Sequence, residues 1–100
     1  MTWEEKLEVC KGLSEVSLEM RCPGNWCVAC VGVDIKEEGG ILKSVRGNGT
    51  RPELAVLDHW RILTELQLGE CIVVGAMRGN RRAVIWNGYM WKDIIEESRS

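Results

Sequence analysis

The sequence predicts an α+β domain in the order α-β-β-α-β-β, with each of two helices followed by a hairpin and a four-stranded, mainly antiparallel sheet carrying both helices on one face. Three observations lead there. Apolar residues recur at helical spacing in two stretches, they alternate or run continuously in four others, and the period changes at segments rich in glycine or proline. One hundred residues make one domain, 1-100, with a single modest core.

The first helix is expected over most of residues 2–19, because Thr2 and Glu5 have capping-box spacing and Trp3, Leu7, Cys10, Leu13, Val16 and Met20 recur at helical intervals. Gly12 can kink it, and Pro23 with Gly24 sets its boundary. Residues 25–35 are small, β-branched and apolar at both alternating positions, the pattern of a strand with little solvent on either face. Residues 36–40 turn the chain, and residues 41–46 return as the second strand.

Thr50 and Glu53 repeat the capping-box spacing, with Pro52 in the first turn, where its missing N–H does no harm. The second helix is expected from about Arg51 to Leu68, with Val56, Trp60, Leu63 and Leu66 toward the core and Gly69 ending it. Residues 70–77 and 82–88 read as two strands around a Gly79-Asn80 turn, and residues 89–97 as a short helix or irregular tail. Because the first and third strands are apolar at both parities, the open sheet face is expected to meet another subunit in a dimer or higher homo-oligomer.

Composition narrows the function. Apolar residues at 45% with charged residues at 28% belong to an ordinary folded chain, and a net charge of -2 argues against general nucleic-acid binding. The acidic start lacks a secretory signal and no stretch approaches a membrane span, so a cytoplasmic protein without membrane partners is expected. Five cysteines in a reducing compartment read as free thiols.

Few segments carry recognisable chemistry. Cys27 and Cys30 have Cys-x-x-Cys spacing with Cys22 nearby, but on a strand positions three apart point to opposite faces, so buried thiols are favoured over a zinc site. His59 lies beside the inferred core stripe and reads as a half-buried helix histidine. No nucleophile elbow, Walker loop or dinucleotide fingerprint accompanies it, so neither an enzyme nor a cofactor is expected. The pairs Glu4-Glu5, Glu37-Glu38 and Glu96-Glu97 read as solvated surface.

The remaining segment is "RGNGTRPE". Its glycines permit positive φ, the amides opening the next helix are free, and Arg46 and Arg51 flank the position, which is how a turn holds a phosphate. "RGNRR" adds Arg78, Arg81 and Arg82 at a hairpin tip. If the two turns converge, Arg46, Asn48, Arg51, Arg78, Arg81 and Arg82 form a basic pocket for a nucleotide or other small phosphorylated ligand.

The helix "GNGTRPELAVLDHWRILTEL" and the ending "RRAVIWNGYMW" resemble a group of small, functionally uncharacterised proteins encoded by bacteriophages and prophages. The family pattern has a glycine-rich turn, a Thr-Pro-Glu helix start and a final Trp-Asn-Gly-aromatic-Met/Trp segment. Here Thr50-Arg51-Pro52-Glu53 carries one inserted residue, and the likeness covers about the second half of the chain. It implies no catalytic residues. It implies an accessory protein that binds host components, including defence proteins or their nucleotide signals.

The leading expectation is therefore a non-enzymatic phage-type accessory protein that antagonises a host defence by sequestering a nucleotide-like ligand. Two alternatives stand beside it: a protein-binding inhibitor or adaptor using the apolar sheet face and Trp91, and a zinc-supported nucleic-acid module that chelators would unfold.

Overall fold

The computed structural model describes residues 1–75 and 81–94. Thr2 caps helix α1 (Trp3–Lys11) as its spacing predicted: its hydroxyl accepts the Glu5 N–H at 3.2 Å, and a Glu5 carboxylate oxygen accepts the Thr2 N–H at 2.7 Å. The helix stops at Gly12, well short of residue 19. The segment expected to extend it is strand β1 (Val16–Cys22), which pairs antiparallel with β2 (Asn25–Cys30) across a Pro23-Gly24 turn. Val16 and Met20 fit a helical interval, but with Leu18 between them they also alternate, and pairing with β2 decides for the strand.

Residues 25–35 are likewise two elements. Gly32, at φ +70°, breaks the run after β2, and β3 (Val33–Lys36) continues into a different sheet. Strands β4 (Leu42–Ser44) and β5 (Gly47–Gly49), helix α2 (Pro52–Thr64), and strands β6 (Cys71–Val74), β7 (Arg82–Trp86) and β8 (Trp91–Asp93) follow. They form a three-stranded sheet ordered β1-β2-β5 and a five-stranded sheet ordered β4-β3-β6-β7-β8, with antiparallel neighbours throughout.

The class is α+β, but two sheets replace the single four-stranded sheet. Gly-Asn-Gly has no side-chain signature of a strand, yet it pairs with β2. The segment expected as a terminal helix or tail contributes β8, paired with β7.

Helix α2 also departs from its expected ends. Arg51 rather than Thr50 is its N-cap, and no side chain caps it; Glu53 instead meets Arg51, Oε2 to Nε at 3.5 Å. The helix closes at Thr64, so Gly69, at φ +89°, shapes the following loop rather than the helix end.

Helix α2 packs on α1, β2 and β5, and its residues Trp60 and Leu63 share one core with Cys10 of α1, Cys30 of β2, Ile72 of β6 and Val84 of β7. Both sheets are thus held through one helix. Burying each large aliphatic of this kind contributes about 1.5–3 kcal/mol. Cys71, Ile72 and Val73 of β6 are all buried within the chain, so both faces of that strand are covered by its own fold. Among the described residues, no helix is long and apolar enough to cross a membrane.

Candidate functional site

The arginine-bearing glycine segment is a strand rather than the positive-φ turn its glycines suggested. Gly47 and Gly49 lack positive φ; they lie in β5, pressed against α2. A Cβ on Gly47 would stand 2.5 Å from the backbone nitrogen of His59, and one on Gly49 would stand 2.7 Å from that of Ala55. These glycines are required by the close approach of strand to helix. The Asn48 N–H donates to Asp58 Oδ2 at 3.0 Å. Asp58 also pairs with Arg61 at 3.0 Å. The Asn48 amide and the Asp58 carboxylate thus satisfy each other between β5 and α2.

Arg46 and Arg51 are exposed beside this strand, Arg51 against Glu53. Arg81 and Arg82 lie at the start of β7, in the other sheet. Arg82 opens β7 and its Nε donates to Asp93 Oδ1 of β8 at 3.0 Å. Arg81, Arg82 and Lys36 line a small hollow of about 100 Å³ over Val73 and Ala83. Lys36 did not figure in the sequence reading, because β3 reaches β7 only through β6. Arg78 and the Gly79-Asn80 turn lie outside the described residues, as do Glu96 and Glu97.

Beneath β5 lies a buried polar cluster. Cys10 Sγ is 3.9 Å from His59 Nδ1, and the Cys30 thiol donates to the Cys10 carbonyl at 3.7 Å. His59 is fully buried rather than half-buried, and its Nε2 has no hydrogen-bond partner among the described residues. Burial holds its pKa down to about 4, against the opposing pull of Asp58, so the imidazole is neutral at pH 7. The neighbouring Cys30 and burial together push the Cys10 thiol up, away from the thiolate that nucleophilic chemistry requires. This cluster is core.

Cys22, Cys27 and Cys30 do not converge. Cys22 is exposed at the end of β1, whereas Cys27 and Cys30 are buried at positions three apart on β2, on opposite sides of the strand. Among the described residues, no three His, Cys, Asp or Glu side chains are grouped to hold a metal.

A further recess lies where α1 meets the last hairpin. Trp60, Trp86 and Trp91 meet edge to face, with centroids 4.9 Å apart for Trp60–Trp86 and for Trp86–Trp91, and 5.9 Å for Trp60–Trp91. The Trp91 indole N–H donates to the Val9 carbonyl at 2.8 Å, which ties the last hairpin to the end of α1. That hairpin turns over Asn87, whose Oδ1 accepts the N–H groups of both Tyr89 and Met90 at 3.0 Å. Between α1 and this turn opens a groove of about 490 Å³, lined by Met1, Glu4, Glu5, Glu8 and Val9 on one side and Trp86, Gly88 and Tyr89 on the other.

Trp91, the tryptophan expected to face a partner, is instead held in the cluster. Tyr89, 84% exposed, takes that position at the groove. The signal was present in "WNGYMW": a turn flanked by paired tryptophans projects what lies between them. Compared with known proteins, the chain matches no family model, no curated protein and no solved structure at a significant level.

Proposed function

We propose that the chain is a non-enzymatic, phage-type accessory protein that acts as a protein-binding inhibitor or adaptor, docking a segment of a host protein in the groove between α1 and the β7–β8 turn. The observation that carries this reading is the groove itself: an apolar floor at Val9 and Trp86, bordered by exposed Tyr89 and Met1. Exposed aromatic and methionine side chains around a concave apolar surface are the usual anchors of protein recognition. The likeness of the second half of the chain to phage proteins supplies the context of a host partner. A photoreactive residue in place of Tyr89 is expected to crosslink a defined protein in bacterial host cells; failure to do so withdraws the reading.

A specific observation also favours a second reading, the small phosphorylated ligand, in a reduced form. Lys36, Arg81 and Arg82 surround a hollow of the size of one phosphate group, on the sheet opposite to Arg46, Asn48 and Arg51. Under this reading Arg81→Glu lowers the affinity for a phosphorylated ligand about tenfold, whereas Arg51→Glu leaves it unchanged, as measured by calorimetric titration with ATP. Equal losses from the two variants would place the ligand elsewhere.

A further inference from the structure

We propose that the groove between α1 and the β7–β8 turn receives a lysine- or arginine-bearing, otherwise apolar segment of its partner, an inference that rests on the docking reading and names the chemistry of the occupant. The floor is apolar, formed by the half-buried Val9 and Trp86, with exposed Met1 at its border. The α1 wall is acidic. Glu4 and Glu8 are four residues apart and so share a helix face, and both line the groove opposite Tyr89.

Three kinds of occupant can be compared. A wholly apolar segment covers the floor but strips water from these carboxylates without replacing it, which is costly. An anionic segment adds like-charge repulsion. A cationic side chain lays its methylene stem on the floor, brings its charge to the carboxylates, and lies within reach of the exposed tyrosine ring.

Cations already present do not cancel the acidic wall. Lys11 meets Glu8 at 2.8 Å, but both side chains are largely in solvent, where such pairs are weak. Glu5 is engaged at the helix cap, and the α-amino group acts on it. Glu4 has no ion pair among the described residues, and Asn87, Gly88, Tyr89 and Met90 bring no positive charge to the opposite wall.

The test titrates the nitrogen-labelled chain with a short capped peptide of alternating leucine and lysine and with its leucine-glutamate counterpart, following the Trp86 indole and Tyr89 amide signals. The lysine peptide is expected to move both signals and to bind roughly fivefold or more tightly than the glutamate peptide at low salt, a preference that shrinks as salt is added. Glu4→Gln combined with Glu8→Gln is expected to abolish the preference with the spectrum otherwise unchanged, and Glu4→Gln alone, which leaves the Lys11 pair intact, is expected to reduce it. Equal binding of the two peptides overturns the cationic occupant. So does absence of any shift with the lysine peptide, whatever the crosslink from position 89 shows; that crosslink alone decides the docking reading.

Discussion

His59 shows how one buried side chain sets the chain's response to acid. Its imidazole is enclosed by α2 and Cys10, one ring nitrogen lacks a partner among the described residues, and burial lowers its pKa from 6.5 to about 4. The unfolded chain binds a proton on this residue that the folded chain refuses. Stability from the neutral imidazole is therefore fully present above about pH 6.5 and is lost as pH falls toward 4, by about 3 kcal/mol in all. Urea unfolding across this range is expected to show that slope, and His59→Leu is expected to flatten it. A wild-type chain whose stability is constant between these pH values would mean that His59 is hydrated in solution.

At the scale of elements, the contact of β5 with α2 turns the most eye-catching sequence motif into a packing device. Because a Cβ at Gly47 would collide with the backbone of His59, Gly47→Ala forces the strand and helix apart. Its expected cost is at least about 1–3 kcal/mol, seen as a lower urea midpoint. A neutral effect would show that β5 is free to move and would reopen the anion-binding role of the segment.

The same contact explains what the sequence could and could not disclose. Thr2 and Glu5 act three residues apart, so the first cap was legible; Thr50 and Glu53 have the same spacing, but Glu53 turns to Arg51 and the second cap fails. β5 has no alternating side chains to read, and β1 shares its apolar letters with a helix until a partner strand is known. The cysteine spacing was legible because Cys27 and Cys30 lie within one strand. The groove was not, since Trp91 reaches Val9 across 82 positions and the acidic wall of α1 looks like ordinary solvated surface until Tyr89 is set opposite it.

For the whole molecule, α2 holds a three-stranded and a five-stranded sheet to one core, while the last hairpin is fastened to α1 by Trp91 and packs Trp86 and Trp91 against Trp60 of α2. That arrangement leaves Tyr89 and Met90 exposed and sets Tyr89 across the groove from the acidic face of α1. Arg46 and Arg51, by contrast, flank β5 while Arg82 opens β7 in the other sheet, with Arg51 and Arg82 each against a carboxylate.

Recognition of another protein by the groove is the central claim, and photo-crosslinking in host cells tests it most directly, with the reactive residue placed at position 89 or, for comparison, at exposed position 48 on β5. A discrete crosslinked protein from position 89, absent from position 48 and lost on Trp86→Ala in a chain that still folds, is the expected result. Crosslinks that are missing from position 89, or equally abundant from both positions, would contradict it.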